Sequence, residues 1–229
     1  MLPQPTTMDI LLIIAVYLWV FAIILVGEFL RKRLGDPMLT RKLIHLLAGD
    51  SIVAIGWMSS PIWPALIPIG LIILLSIAFF FKKDSSLAAP MLVEDMDRAH
   101  LYGPLYYIFM ILVLLILWPR KDVIVAATFV LAWGDGLAPI IAAKVGRTRY
   151  PFSKKTLEGS LVVFVFGALG AAVGLWILGF SGFPVGDIVR KSLIGGVVGC
   201  VAEALSVGPL EGFDNVTVPL VVAAALLTV

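Results

Sequence analysis

A single acidic residue, Asp135, interrupts the apolar run 123–143. A charged side chain at membrane depth is costly unless it faces a cavity, a metal ion or a partner. Two flanking glycines and Pro139 weaken a straight helix at this point and allow its backbone to turn toward a ligand. The following segment, 144–160, is rich in lysine, arginine and hydroxyl side chains. We therefore expect Asp135 to be reached from this loop by a cation and a phosphate.

The segment 153–160, Ser-Lys-Lys-Thr-Leu-Glu-Gly-Ser, opens the next apolar run. Its lysines, its hydroxyls and the unpaired N–H groups of a helix start all favour a bound phosphate. An ordinary helix start would share these features, with Thr156 as the N-cap and Lys154 and Lys155 close to lipid headgroups. Because Asp135 lies a short distance upstream, we favour an anion site. The P-loop pattern GxxxxGK[ST] and the dinucleotide pattern GxGxxG are both absent.

Three further polar residues, Arg41, Lys42 and His45, stand at the start of the second apolar run. On a helix these positions share one face. An anchor in the membrane surface explains the two basic residues equally well. His45 lies deeper in the apolar run, so a functional role is favoured for it.

Two acidic clusters complete the candidate groups. The segment 94–98, Glu-Asp-Met-Asp-Arg, has oxygen ligands for a divalent cation, but a solvated loop with an ion pair between its first and last residues is favoured. Glu203 has apolar surroundings near the end of the seventh run, and Asp214 and Asn215 precede the last run. We favour function for these three residues.

The composition is that of an integral membrane protein. Hydrophobic residues make up 61% of the 229 residues, charged residues 14%, and the mean hydropathy is +1.07. A spanning helix needs about 20 apolar residues. We therefore predict an all-α bundle of about eight transmembrane helices, at residues 8–30, 43–58, 61–81, 103–118, 123–143, 159–180, 188–207 and 216–229. The chain is predicted to form one membrane-embedded domain, 1–229, with the first span peripheral to the motif-bearing spans.

With eight spans, 13 of the 17 Lys and Arg residues fall on one side of the membrane. The positive-inside rule places that side in the cytoplasm and both termini on the other side. All the polar clusters described above then lie on the cytoplasmic face. The glycines at 167, 170, 174, 195, 196 and 199 are interpreted as close helix packing.

The motifs resemble those of the polyprenol kinase family, which includes dolichol, phytol and farnesol kinases. The resemblance rests on Arg41-Lys42-x-x-His45, on Gly134-Asp135-x-x-Ala138 with Gly146 and the 155–160 segment, and on Glu203 with Asp214-Asn215 and Pro219. Two positions depart from the pattern: Ala142-Ala143 replace an expected Gly-Arg pair, and Pro139 stands where serine is common. The resemblance implies a multi-pass enzyme that phosphorylates an isoprenoid alcohol, typically from CTP, in the plasma membrane of a prokaryote or in a eukaryotic endoplasmic reticulum or plastid.

The resemblance also implies residue roles. Asp135 would ligate Mg²⁺ or accept the alcohol proton, His45 would help to neutralise the transferring phosphoryl group, and Lys155 would hold nucleotide phosphates, oriented by Glu158. The residues implied in nucleotide binding are Arg41, Lys42, Lys154, Thr156, Glu158, Gly159, Ser160 and Asn215. The carboxylates implied in binding Mg²⁺ are Asp135, Glu158, Glu203 and Asp214. The prenol would enter from the bilayer lipid, and no nucleic-acid partner is expected.

Two other functions remain open at this stage. Membrane CDP-diacylglycerol synthases carry a very similar Lys-Lys-Thr-x-Glu-Gly segment, although their C-terminal Pro-Gly-His-Gly-Gly signature is missing here. An ion-coupled transporter could bind its coupling ion at an intramembrane aspartate on a broken helix. The chain lacks matching halves and its polar groups are predicted to crowd one face, so a transporter is less favoured.

Overall fold

The computed structural model describes residues 4–60, 62–81, 88–91, 102–117, 120–151, 153, 155–179, 182–206 and 213–229. These ranges are helical, with no β-strand and one isolated bridge between Arg149 and Thr156. Their eight helices are α1 Thr7–Leu34, α2 Pro37–Asp50, α3 Ile62–Phe81, α4 Gly103–Leu117, α5 Lys121–Val145, α6 Leu157–Leu178, α7 Val185–Leu205 and α8 Asp214–Leu226. The all-α prediction is confirmed. The acidic cluster 94–98 and Lys154 lie outside the described residues.

The helices match the predicted spans to within a few residues, except that α2 begins well before Leu43. Asp36 caps α2 by accepting a hydrogen bond from the Leu39 N–H at 2.9 Å, and Pro37 suits the first helical position. The 3₁₀ helix Ser51–Trp57 continues the run. Arg41, Lys42 and His45 therefore lie inside the helix, as predicted.

Four helices, α1, α3, α5 and α6, are long and apolar enough to cross a membrane, and α4 and α8 are apolar but shorter. Helix α7 has an exposed apolar residue at every fourth position along its whole length. These residues are Val185, Val189, Leu193, Val197, Val201 and Leu205. Such a stripe is suited to lipid. That all eight helices cross the membrane, and with which orientation, stays a prediction.

The chain divides into two compact units, and the first comprises residues 1–121. In this unit α1 packs against α2 and α3, and α3 packs against α4. Asp9, fully buried, accepts hydrogen bonds from the Ser59 N–H at 2.8 Å and the Ser59 hydroxyl at 2.6 Å. Gly27 of α1 allows Ile44 of α2 to approach, because a Cβ there would lie 2.5 Å from the Ile44 Cδ1.

The second unit, residues 122–229, is built around α5. Every side chain from Val123 to Ala132 is at most 1% exposed. A helix that is apolar on all sides belongs at the centre of a bundle. The middle of α5, Val130–Asp135, is a π-helical segment that packs against α6, α7 and α8. Pro139 contributes to this irregularity, because it has no N–H to donate to the carbonyl of Asp135.

Glycines allow these helices to meet closely, as predicted. A Cβ on Gly167 of α6 would lie 3.3 Å from the Val130 Cγ1, and one on Gly195 of α7 would lie 3.2 Å from the Val130 Cγ2. A Cβ on Gly199 would overlap the Val130 Cγ1. The valine is fully buried between α6 and α7, so it has little room to move. Gly196 meets Ala168 of α6 in the same way, at 2.8 Å.

A buried ion pair joins the start of α5 to α7. The Lys191 ammonium contacts the Asp122 carboxylate, and the two side chains are 6% and 8% exposed. The 122–191 contact and the Val130–Gly199 contact both join residues 69 apart in sequence, so α5 and α7 run parallel with a constant register. This register fixes which residues of the two helices face each other further along.

We predict that Gly199→Ala destabilises the protein by about 1–3 kcal/mol, because the added methyl overlaps the immobile Val130. Gly186→Ala is the matched control, since it makes the same change on α7 where nothing lies within 4 Å. The control should be neutral or stabilising by up to about 1 kcal/mol. Thermal unfolding in detergent micelles, followed by circular dichroism, measures both. Equal melting temperatures for the two variants would contradict the packing described here.

Candidate active site

Glu158, in the first turn of α6, fastens the loop that precedes this helix. Its carboxylate accepts hydrogen bonds from the backbone N–H of Arg147 at 3.1 Å, the N–H of Thr148 at 3.1 Å and the Thr148 hydroxyl at 3.0 Å. The Leu157 N–H donates to the Thr148 carbonyl at 2.8 Å. The loop is thereby closed onto the start of α6.

The start of α6 is capped from within the chain. Thr156 is the N-cap, and its hydroxyl accepts a hydrogen bond from the Gly159 N–H at 3.1 Å. The Leu157 N–H is engaged by the loop. Two of the N–H groups at this helix start are thus engaged within the chain, while the phosphate site stays a prediction. The Lys155 side chain, just before the helix, is a further group that can meet an anion.

Lys155 is held by Glu203, the residue near the end of α7. Its ammonium lies 2.8 Å from the Glu203 Oε1 and donates to the Glu203 main-chain carbonyl at 2.6 Å. The Ser160 hydroxyl donates to the other carboxylate oxygen, Oε2, at 3.2 Å. Glu203, and not Glu158, is thus the carboxylate that orients Lys155. Three of the predicted site residues are brought together in this cluster, which we call the lysine cluster: Lys155, Ser160 and Glu203.

Asp135 is buried, at 6% exposure, and ends the π-helical segment. In π geometry, hydrogen bonds join residues five apart, so Asp135 lies closer to the side of Val130 than in α geometry, which would turn it away by about 140 degrees. The Val130 side chain faces Gly199, and Glu203 lies one turn beyond Gly199 on the parallel helix. Asp135 and Glu203 are therefore at the same level of the bundle.

The contact of α5 with α6 supports the same register. A Cβ on Gly134 would lie 3.1 Å from the Val163 carbonyl, and one on Gly159 would lie 3.3 Å from the Ala142 Cβ. These helices run antiparallel, so Asp135 is at the level of Val163, one turn deeper than Ser160. The predicted acid thus lies near the level of Glu203 and about one helical turn from Ser160, within the second unit.

The start of α8 carries the last two predicted site residues of this unit, Asp214 and Asn215. The Asp214 Oδ1 accepts a hydrogen bond from the Asn215 N–H at 2.9 Å, and the Asn215 side chain is buried at 8% exposure. Its Oδ1 has no hydrogen-bond partner within the described ranges. The hydroxyls of Ser206 and Thr217, 2.9 Å apart, join the end of α7 to α8.

The other predicted residues belong to the first unit. Arg41, Lys42 and His45 lie on α2, where Arg41 is buried at 8% exposure. The His45 ring stacks on Tyr107 of α4, with ring centroids 4.1 Å apart. The nucleotide and phosphoryl roles predicted for these three residues stay predictions.

Among the described residues, no three His, Cys, Asp or Glu side chains are grouped closely enough to form a metal site. Glu158 is engaged by the loop, and Glu203 by Lys155 and Ser160. A magnesium ion that arrives with a nucleotide needs only one or two carboxylates, because phosphate oxygens and water supply its other ligands. The buried Asp135 fits such a site, whereas a cage made of the four predicted carboxylates is not formed.

Known proteins similar to this chain are phytol kinases. It is 30% identical to the phytol kinase of Synechocystis sp. over 210 residues, which cover 87% of this chain and 83% of that protein. The chain belongs to the phytol kinase family. It is also 32% identical over 203 residues to probable phytol kinase 3, chloroplastic, of Glycine max, and 28% identical over 205 residues to the probable phytol kinase, chloroplastic, of Triticum aestivum.

The share of each relative's length that this chain matches differs between the phytol kinases. The two plant matches cover 84% and 82% of this chain but only 63% and 66% of the soybean and wheat proteins, so the chain spans slightly less than two thirds of those relatives. No protein-family model matches the chain. No solved structure matches it either.

Sequence reasoning did not identify Thr148, which binds Glu158 in the second unit, or Tyr107, which stacks on His45 in the first unit. No local periodicity relates such residues, because their contacts depend on how a loop closes or how two helices pair. The contact between Lys155 and Glu203 was not predicted for the same reason, although both were candidate site residues.

We predict that Glu158→Ala loosens the loop, since it removes every acceptor that holds the Arg147 and Thr148 N–H groups. Trypsin should then cleave at the exposed Arg147 and Arg149 about tenfold faster than in the parent, because cleavage tracks the open population. Limited proteolysis with mass spectrometry measures this rate. Asp187→Ala is the matched control, since it removes an acceptor from the exposed ion pair with Arg190 on α7. Unchanged cleavage in Glu158→Ala would show that the carboxylate does not fasten the loop.

Proposed function

We propose that the protein is a membrane-embedded prenol kinase, which transfers the γ-phosphoryl group of CTP to phytol or another isoprenoid alcohol such as geranylgeraniol, farnesol or dolichol. The products are the prenyl monophosphate and CDP. The observation that carries the proposal is the match to the cyanobacterial phytol kinase over most of both chains. The lysine cluster beside the buried Asp135 supports it, because phosphoryl transfer mainly requires positioning and charge neutralisation.

The chemistry is a displacement at the γ-phosphorus. The prenol oxygen forms a bond to phosphorus, the bond from phosphorus to the bridging β-phosphate oxygen breaks, and CDP leaves. The alcohol proton passes to a base, and Asp135 is our candidate for it. Lys155 meets the phosphate oxygens with an ammonium N–H, where a preorganised positive charge stabilises the developing negative charge.

We propose Mg²⁺ as the cofactor, bound with the nucleotide. When bound, it neutralises phosphate charge and leaves the phosphorus open to attack. Asp135 is the residue we assign to hold it, which gives this carboxylate two candidate roles, ligand and base. Asp214 and Asn215, at the start of α8, stay candidates for the metal or the cytosine side.

The substrate is proposed to reach the site from the lipid. Four long apolar helices and the exposed stripe of α7 support a chain surrounded by hydrocarbon. The prenol tail would lie in the bilayer, with its hydroxyl near Asp135 of α5 and the lysine cluster. The plant relatives are named chloroplastic, which supports a plastid membrane for a plant protein. For a prokaryotic protein we propose the plasma membrane.

We predict that the purified protein, with Mg²⁺, CTP and phytol, forms phytyl monophosphate and CDP without any ion gradient. Chromatography of both products from γ-labelled nucleotide identifies the reaction, and a panel of nucleotides and prenols ranks the donors and acceptors. Release of pyrophosphate with a CDP-linked lipid would instead identify a cytidylyltransferase. No turnover with any donor and acceptor would refute the kinase proposal.

We predict that Asp135→Asn lowers kcat by at least about 1,000-fold while the protein folds normally, since the substitution is isosteric and removes only the charge. Asp135→Glu separates the two roles, because a displaced ligand changes the Mg²⁺ concentration needed for half-maximal rate, whereas a displaced base changes kcat at saturating Mg²⁺. Asp187→Asn, an exposed acid of the same unit, is the control and should retain full activity. Parent-like rates in Asp135→Asn would remove this residue from the mechanism.

A further inference from the structure

Glu203 holds the Lys155 ammonium through two acceptors of different kinds. One is its carboxylate oxygen Oε1, 2.8 Å away, and the other is its own main-chain carbonyl, 2.6 Å away. The two side chains are 17% and 12% exposed, so the contact is largely shielded from water. Two of the three ammonium N–H groups are therefore directed to a single residue, and the direction of the third is fixed as a consequence.

We propose that Glu203 is the positioning residue of Lys155 and not a metal ligand. The inference rests on the proposed function, in which Lys155 meets the transferring phosphoryl group. A lysine side chain is flexible, and an unrestrained ammonium would lose entropy each time it bound a phosphate. Glu203 removes that cost in advance, because the Lys155 ammonium is already held when the nucleotide arrives.

The position of Glu203 on α7 favours a cation partner of this kind. Glu203 lies in the last turn of α7, where the helix dipole is negative. Its main-chain carbonyl accepts a hydrogen bond from the Ser206 N–H at 3.1 Å, and Lys155 adds a charged donor to the same carbonyl. A magnesium ion on the same carboxylate would have to displace the ammonium or lie a few ångströms from it, where like charges repel strongly.

Ser160 also contributes to the positioning of Lys155, through Glu203. It is 2% exposed, and its hydroxyl donates to the Glu203 Oε2 at 3.2 Å. With Oε1 occupied by Lys155, both carboxylate oxygens have protein partners. Ser160, predicted from the sequence to contact the nucleotide, is therefore assigned to Glu203, which it holds from α6 while Glu203 holds Lys155 from α7.

The test is a double-mutant cycle on the full chain, with kcat, the KM for CTP and the Mg²⁺ dependence measured for each variant. Lys155→Met should lower kcat/KM at least about 100-fold. Glu203→Gln should lower kcat about 10- to 100-fold with a smaller change in KM. If Glu203 acts through Lys155, the double variant should stay within about threefold of Lys155→Met, since residues that act as a unit are not additive. The half-saturating Mg²⁺ concentration should change by less than about twofold in Glu203→Gln.

Asp122→Asn is the matched control, because it breaks the other buried lysine–carboxylate pair of this unit, at the opposite end of α7. It should lower the melting temperature without a fall in kcat for the folded fraction. Should Glu203→Gln fail to fold, Ser160→Ala replaces it in the cycle, with an expected three- to tenfold fall in kcat that vanishes, to within about twofold, in the Lys155→Met background.

The inference would be overturned if the effects of the two substitutions on kcat/KM were additive in the double variant. It would also be overturned by a tenfold rise in the half-saturating Mg²⁺ concentration of Glu203→Gln, which would return Glu203 to the metal site. In either case, turnover by the parent protein would leave the proposed kinase function intact. An inactive parent would instead refute the proposed function.

Discussion

The second unit depends on one constraint, the close approach of three helices at Val130. Helix α5 is buried on all sides, and only glycines on α6 and α7 leave room for its side chains at this level. The contact fixes the register of α5 against both neighbours. The positions of residues further along the bundle follow from that register. Gly134 meets Val163, Glu203 reaches the level of Asp135, and Ser160 meets Glu203. A packing requirement thereby determines where the chemical groups stand.

Among its described residues, the second unit has two ion pairs that are largely shielded from water. Leaving one member of a buried ion pair alone is strongly destabilising. The Asp122–Lys191 pair lies at one end of α7 and the Lys155–Glu203 pair at the other. The two pairs differ in their surroundings. The first joins two rigid helices, whereas the second joins a helix to a loop that is itself fastened by Glu158. The second pair is also the more exposed, with side chains 17% and 12% exposed against 6% and 8% for the first, so the remaining N–H of its ammonium is the more accessible to a ligand.

Much of the fold could be predicted from the sequence, because apolar runs, caps and glycine spacing are local signals. The eight helices, the capping role of Thr156 and the packing role of the six glycines follow from such signals. The partners within the site could not be predicted. Glu158 and Glu203 have the same side chain, yet one binds loop N–H groups and the other binds Lys155. That difference arises from the closure of the loop and the register of α7, which no local pattern encodes.

The two glutamates also bear on why one short motif serves different reactions. The Lys-Lys-Thr-x-Glu-Gly segment of this chain resembles that of CDP-diacylglycerol synthases, in which a different phosphorus is attacked. Here its threonine caps α6, its glutamate fastens the loop and its glycine admits Ala142 at close range. These are structural tasks, and each determines where the Lys155 ammonium stands. The motif therefore fixes the position of a positive charge. In the proposed reaction, the choice of phosphorus would depend on where the acceptor hydroxyl and the acid of α5 lie relative to that charge.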